Sequence, residues 1–210
     1  MSERYVVFDV ETPNARNDRM SAIGVAVVEG CKIVSVLDTL INPECTFDPF
    51  HSKLTGIYPQ DVVSAPTFPI VWDIIRPVFE SGVLVAHNAQ FDMGVLRKCL
   101  KHYGIQWEMT HPFACTVQMS RASYPELENH KLDTLCEYFK FDLDHHRAGS
   151  DSIAAARILI KCMKKGLEPK GFTKLYHFRR KEQKELIKVN GREDSQCNIQ
   201  GERPSELDMA

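Results

Sequence analysis

The sequence predicts an α/β fold in which a mixed, five-stranded sheet is flanked by helices. Two observations lead to this prediction: three β-rich segments come first in the chain, and helical and short apolar stretches alternate after them. Consecutive strands joined by a tight turn pair antiparallel, whereas strands joined through a helix can pair parallel. We therefore expect an antiparallel unit of three strands within a larger sheet.

The first three strands are predicted from apolar runs and turn residues. Arg4 to Val10 is a short apolar run with an abrupt polar end, which is typical of a buried strand. Met20 to Val28 and Cys31 to Leu40 are β-rich, and Glu29-Gly30 between them supplies a hairpin turn. These segments favour an antiparallel meander.

Helices and strands then alternate. Thr67 is placed to cap an amphipathic helix that ends near Phe79, and Gly82 to Ala86 is an apolar run typical of a strand buried on both faces. Gly104 suits the end of the following helix. The remaining predicted elements are a helix at 90–103, a strand at 113–117, and helices at 116–123, 131–139 and 147–165.

Composition divides the chain into a domain at residues 1–166 and a tail at 167–210. Residues 161–190 contain ten Lys or Arg and three Asp or Glu, although the whole chain has a net charge of −2. Within the tail, Lys174 to Val189 is predicted to be a basic helix, and Asn190 to Ala210 is expected to be disordered because it has almost no apolar periodicity.

Bulk properties restrict the function classes. No apolar run reaches 18 residues, so no membrane span is expected. Seven cysteines without a C-x-x-C pair indicate reduced thiols, and we expect a cytoplasmic protein without a signal peptide. The slightly negative net charge argues against long-range binding to duplexes, but it permits an enzyme that grips only a strand end.

Four carboxylates lie where buried elements begin or end. Asp9 and Glu11, at i and i+2 on the first strand, project from the same face and repel each other unless a cation lies between them. Asp92 follows an apolar strand, and Asp151 lies one turn inside the last helix. Each alone has a simpler interpretation, as a solvated acid or a charge at a helix N-terminus. Together they suggest a site for hard divalent cations.

A histidine completes the pattern. His146 lies just before the last helix, and its ordinary pKa near neutrality suits a general base. His145 is a rival for the same role. With the four carboxylates, His146 indicates hydrolysis of phosphodiester bonds with the help of two metal ions.

These motifs resemble the DEDDh branch of the DnaQ-like 3′–5′ exonucleases, which have a ribonuclease H-like fold. That group includes the proofreading epsilon subunit of bacterial DNA polymerase III, ribonuclease T and oligoribonuclease. The resemblance covers about Arg4 to Met163. It rests on the segments Phe8-Asp9-Val10-Glu11-Thr12, Leu54-Thr55-Gly56-Ile57, Ala65-Pro66, Val85-Ala86-His87-Asn88-Ala89-Gln90-Phe91-Asp92 and His145-His146-Arg147-Ala148-Gly149-Ser150-Asp151.

The resemblance implies a role for each matching residue. Asp9, Glu11 and Asp151 would hold one Mg²⁺ or Mn²⁺ ion. Asp9 would also bridge to a second ion that Asp92 approaches. His146, which four residues separate from the last acid of the motif, would deprotonate the attacking water. The residues implied to contact the terminal nucleotide are Thr12, His87, Asn88 and Phe91.

One departure concerns the segment after Thr12, where this chain has Pro13-Asn14 and many members of the family have Thr-Gly. Because Asn tolerates the left-handed backbone region that Gly favours, we expect the turn to survive. The shape of the pocket for the 3′ end depends on this segment.

The expected activity is stepwise hydrolysis of DNA or RNA from single-stranded 3′ ends, with release of nucleoside 5′-monophosphates. A DNA polymerase is an expected partner if the activity serves proofreading. Two alternatives remain: a catalytically silent module that binds nucleic acid or a polymerase, and a phosphodiesterase for small nucleotides.

Overall fold

A six-stranded mixed sheet forms the centre of the computed structural model, which describes residues 3–178. The order across the sheet is β3-β2-β1-β4-β5-β6. Strands β1, β4 and β5 are parallel to one another, whereas the β1/β2, β2/β3 and β5/β6 pairs are antiparallel. The strands are β1 Arg4–Glu11, β2 Ala22–Glu29, β3 Lys32–Leu40, β4 Val83–Ala86, β5 Thr110–Cys115 and β6 Lys174–His177.

Six α-helices accompany this sheet in the described part of the chain. Two short 3-10 helices, Pro59–Asp61 and Pro169–Phe172, complete the regular elements there. The α-helices are α1 Pro49–Thr55, α2 Phe68–Phe79, α3 Gln90–His102, α4 Thr116–Ser123, α5 Leu132–Phe139 and α6 Ala148–Lys164. None of the helices among residues 3–178 is long and apolar enough to cross a membrane.

The antiparallel unit of three strands is confirmed. β1, β2 and β3 pair in sequence order, and Gly30 has a φ of 57° in the turn between β2 and β3. That left-handed conformation is one that Gly adopts without the steric cost of a Cβ atom.

The expected number of five strands is wrong, because the sheet has a sixth. β6 occupies residues for which a basic helix was predicted, and it lies beyond residue 166, where the domain was expected to end. The cause is an alternation of aromatic residues: Tyr176 packs on Phe113 with ring centroids 5.6 Å apart, and Phe178 packs on Trp107 at 5.0 Å. The rest of that predicted helix, and the predicted disorder of 190–210, lie outside the described residues.

The two faces of the sheet bury separate cores. Even-numbered side chains of β1, such as Phe8, pack with α2 and α3. Odd-numbered side chains, such as Val7, pack with α4, α5 and α6. Because side chains alternate along a strand, Asp9 and Glu11 share the face that α6 covers.

Two glycines allow α6 to lie directly on the sheet. A Cβ atom added to Gly24 would lie 2.0 Å from the carbonyl oxygen of Ala148, and one added to Gly149 would lie 2.4 Å from the carboxylate of Asp38. Gly24 is also the partner of Asp9 in the β1/β2 register. The first turn of α6 therefore lies on β2 and β3, next to the position of Asp9 on β1.

Candidate active site

Three of the predicted carboxylates meet where β1 ends and α6 begins. One carboxylate oxygen from each of Asp9, Glu11 and Asp151 can be chosen so that all three lie within 4.8 Å of one another. Glu11 and Asp151 are buried, and Asp9 is partly exposed at the floor of a cleft. The structure therefore brings these three predicted residues together.

Asp92 reaches the same place from the opposite face of the sheet. It lies in the first turn of α3, which follows β4, and its side chain is only 2% exposed. Its carboxylate lies near the backbone amide of Val10 at the end of β1. Asp92 is therefore within electrostatic range of Asp9.

Crowding of buried acids raises their pKa values. Burial, followed by repulsion from Asp151 and Asp92, raises the pKa of Glu11 to about 8. Burial also raises the pKa of Asp92 to about 8. For Asp9, burial and then the neighbouring carboxylates raise the pKa well above its ordinary value. Such a cluster is unfavourable as four anions and becomes favourable around a cation.

The chemistry of the donor set fits a divalent cation. Asp151 Oδ2 accepts a hydrogen bond from the backbone amide of His146 at 3.0 Å, whereas its buried Oδ1 has no hydrogen-bond partner. Buried carboxylate oxygens are normally paired, so an unpaired oxygen on an acid that lies beside two other acids fits a role as a cation ligand. Hard oxygen donors of this kind suit Mg²⁺, Ca²⁺ or Mn²⁺.

Metal binding is expected to change the pH dependence of stability. A carboxylate whose pKa is raised on folding binds more protons in the folded than in the unfolded state, so the free energy of unfolding falls as pH rises through that window. For Glu11 the window runs from its ordinary 4.5 to about 8. Without metal, we therefore expect the melting temperature to fall across this window. Added Mg²⁺ or Mn²⁺ should raise it much more at pH 8 than at pH 5.

Thermal melts with and without a chelator at both ends of the window test this expectation. The Glu11→Gln variant is the control, because it removes one of the titrating groups and should show a smaller fall with pH. A metal-induced shift of equal size at both pH values would contradict the expectation, since a cation that displaces protons must bind more weakly in acid.

The two histidines lie side by side above Asp151. The rings of His145 and His146 stack with centroids 4.0 Å apart and an interplanar angle of 10°. His145 Nδ1 is 3.5 Å from Asp151 Oδ2, and His146 has a φ of 63°. Both face the cleft, so the structure brings together His146 and its rival. Burial and then the neighbouring His145 lower the pKa of His146, which favours the neutral ring that a base requires.

The acids form the floor of a cleft with a volume of about 1060 Å³. All four residues that the resemblance places at the terminal nucleotide line it: Thr12, His87, Asn88 and Phe91. Thr12 is buried and donates a hydrogen bond to Asn17 at 2.9 Å, whereas Phe91 is 42% exposed. An exposed aromatic ring beside buried acids offers a surface on which a base can stack.

Several cleft residues were not singled out from the sequence as contacts. They come from α1, from α4, from the loop after β1 and from the segment between α4 and α5, and no local pattern connects those places. These additional residues include Asn17, His51, Leu54, Thr55, Arg121, Leu127, Asn129, His130 and Lys131. Of these, Leu54 and Thr55 belong to a motif of the resemblance and could have been found from it.

The Pro13-Asn14 segment keeps its turn in a different way from the one expected. Asn14 is not among the described residues with positive φ; Asn17 has that conformation, with a φ of 51°. The side chain of Asn14 instead donates a hydrogen bond to the carbonyl oxygen of Thr46 at 2.8 Å, and the amide of Asp48 donates to Pro13. These bonds tie the loop after β1 to the segment that leads into α1.

Comparisons with known proteins agree with this geometry. A family model described as exonuclease matches residues 6–159. DNA polymerase III PolC-type of Caldanaerobacter subterraneus subsp. tengcongensis is 39% identical over 164 residues, which are 77% of this chain and 12% of that protein. The PolC-type polymerase of Bacillus subtilis is 37% identical over 172 residues, 79% of this chain and 12% of that protein. The chain thus spans about an eighth of these relatives.

Solved structures share the fold. Exonuclease X in complex with 5′ overhanging duplex DNA superposes with a TM-score of 0.63 and 24% identity, covering 80% of this chain and 96% of that one. The nuclease domain of 3′hExo, a DEDDh family member bound to rAMP, gives a TM-score of 0.66 and 17% identity, covering 79% and 94%. At these identities the likeness shows the fold, and it confirms the expected ribonuclease H-like class.

Proposed function

Because the chain belongs to the exonuclease family, we propose that it is a metal-dependent 3′–5′ exonuclease that releases nucleoside 5′-monophosphates from DNA or RNA. The observation that supports this most directly is the cluster of Asp9, Glu11 and Asp151 at the cleft floor, with the unpaired Asp151 Oδ1. Three clustered acids with raised pKa values, two of them buried, are costly to the fold. A catalytic cation gives them a function.

In this proposal Asp9, Glu11 and Asp151 hold one Mg²⁺ or Mn²⁺ ion, and Asp9 together with Asp92 serves a second. Two such ions would stabilise the attacking and leaving oxygens of an in-line displacement. The chain's own contribution is to fix four carboxylates from three elements, β1, α3 and α6.

His146 is proposed as the general base that takes a proton from the attacking water. It is only half-buried, on the segment between α5 and α6, so its ring is accessible from the cleft. The backbone amide of His146 donates to Asp151, which fixes the base next to a metal-holding acid. Thr12, Asn88 and Phe91 are proposed to receive the terminal nucleotide.

The proposed substrate is a single-stranded 3′ end, and a DNA polymerase is the proposed partner. The matching relatives are polymerases that contain a segment like this chain, which supports proofreading as the process served. The described cysteines are free thiols, which favours a reducing compartment, and we propose the cytoplasm.

The experiment that tests the proposal is digestion of 5′-labelled single-stranded DNA and matched RNA with Mg²⁺ or Mn²⁺. We expect a ladder of products that shorten from the 3′ end. The strand that is digested faster, DNA or RNA, identifies the preferred sugar. If folded protein cleaved neither strand with either metal, the proposed exonuclease activity would be wrong. Hydrolysis of dinucleotides alone would indicate a phosphodiesterase, and binding without any hydrolysis would indicate a silent module.

Replacing His146 by Ala is expected to lower kcat by about 10²–10⁴-fold, the usual contribution of a general base. Residual activity should rise at higher pH, where hydroxide replaces the missing base. The measurement is a pH–rate profile of the His146→Ala and His145→Ala variants on the same labelled strand. A larger loss of kcat in His145→Ala than in His146→Ala would assign the role of general base to His145.

A further inference from the structure

His87 lies at the end of β4, and both of its ring nitrogens are engaged inside the protein. Nδ1 is 2.8 Å from the hydroxyl oxygen of Thr116 at the start of α4, and Nε2 is 3.1 Å from the backbone carbonyl oxygen of His130. The ring therefore connects the end of β4 to the segment between α4 and α5. No polar ring atom is left to bind a nucleotide.

The two partners define the tautomer of the ring. The His130 carbonyl can only accept, so Nε2 must carry the proton and donate it. Nδ1 of a neutral ring can then only accept, and the Thr116 hydroxyl donates to it at 2.8 Å in preference to the Ala86 carbonyl oxygen at 3.4 Å. Burial lowers the pKa of His87 to about 4, so the ring stays neutral at physiological pH and keeps this arrangement.

The segment that His87 holds forms one wall of the cleft. Residues 124–131 contain no helix or strand, and their backbone bonds are largely local. The amide of Leu127 donates to the Tyr124 carbonyl, and that of Lys131 donates to the Asn129 side chain. The His87 bond reaches this irregular stretch from another element. The wall residues are Pro125, Leu127, Glu128, Asn129, His130 and Lys131.

We propose that His87 is a positioning residue that holds the 124–131 wall against the nucleic-acid strand, rather than a residue that touches the terminal nucleotide. The proposal rests on the exonuclease function and concerns how the same cleft grips its substrate. The cleft of about 1060 Å³ is larger than a single nucleotide requires, so the wall is available to nucleotides that precede the 3′ end. Lys131 on the wall carries a charge that suits their phosphates.

Two substitutions of His87 distinguish a residue that holds the 124–131 wall from one that contacts the terminal nucleotide. A Gln side chain places its amide nitrogen near the position of Nε2, so His87→Gln can still donate to the His130 carbonyl. An Asn side chain reaches only the position of Nδ1, so His87→Asn loses the bond to the wall. Both remove the imidazole ring, and hence any stacking or contact that the ring itself makes.

The test compares a single-stranded oligonucleotide with the p-nitrophenyl ester of thymidine 5′-monophosphate, which fills only the terminal site. For His87→Asn we expect the KM of the oligonucleotide to rise about tenfold, the order of effect that a lost hydrogen bond allows, with little change in kcat. The KM of the small ester should stay within twofold of that of the unmodified protein. His87→Gln should restore most of the affinity for the oligonucleotide.

Other outcomes overturn the proposal. If the Asn and Gln variants raised the KM of both substrates equally, the imidazole ring itself would contact the nucleotide. A lower melting temperature with unchanged kinetic constants for the folded fraction would mean a purely structural role. If the unmodified protein hydrolyses neither substrate, the proposed function fails. Fluorescence anisotropy with a labelled oligonucleotide then still tests the wall, since His87→Asn should bind more weakly than His87→Gln.

Discussion

Replacement of Asp9 by Asn is expected to lower the exonuclease rate by at least about 10³-fold, which corresponds to about 4 kcal/mol of transition-state stabilisation. Burial and the charges of all three other acids, Asp92, Glu11 and Asp151, raise the pKa of Asp9, so Asp9 interacts with every other member of the cluster. An amide has the same shape but no charge, so it binds a divalent cation weakly. The measurement is single-turnover digestion of a labelled strand at saturating Mg²⁺.

The same substitution is expected to stabilise the metal-free protein at neutral pH. Burial and three neighbouring acids disfavour the ionised Asp9, and a neutral amide removes that repulsion. The melting temperature in chelator should therefore rise while activity is lost. Asp142→Asn, at an exposed carboxylate, is the matched control and should change neither quantity. A melting temperature that falls as activity is lost would attribute the effect to misfolding rather than to lost charge.

The acids could be predicted from the sequence because each depends on local periodicity. The spacing of Asp9 and Glu11 puts both on one face of a strand, and the apolar residues around them show that the strand is buried. Asp151 follows in the same way from its place among the alanines of α6. Their meeting, however, was inferred from the family resemblance, because no single-sequence pattern specifies which strand end approaches which helix.

Features that depend on tertiary contacts could not be predicted. The sixth strand forms because Tyr176 and Phe178 pack on Phe113 and Trp107 of distant segments, whereas the sequence predicted a basic helix over this stretch. Likewise, the sequence around His87 indicates only a polar loop residue next to a strand. The positioning role proposed for it depends on the carbonyl of His130, 43 positions away, and a backbone atom has no signature in the sequence.

Gly24→Ala is expected to lower both stability and activity, because the fold brings the backbone of α6 into contact with this glycine. The added Cβ would lie 2.0 Å from the Ala148 carbonyl oxygen and 2.5 Å from the amide nitrogen of Gly149. Those are backbone atoms, so the helix must move away from β2. Overpacking of this kind costs about 1–3 kcal/mol or more. Since α6 carries Asp151, the same movement should separate it from Asp9 and Glu11.

The measurements are chemical denaturation, and turnover as a function of Mg²⁺ concentration for the folded protein. The matched control is Gly94→Ala in α3, where an added Cβ meets no atom within 4 Å. Because alanine is the better helix former, that change should stabilise the protein by about 0.5–1 kcal/mol and leave turnover intact. If Gly24→Ala lowered stability but required no more Mg²⁺ than the unmodified protein, the position of α6 would not set the geometry of the acids. If Gly24→Ala required more Mg²⁺, the close contact between β2 and α6 at Gly24 would help to determine the geometry of the metal site. Gly24 would do so without a side chain that could act as a ligand.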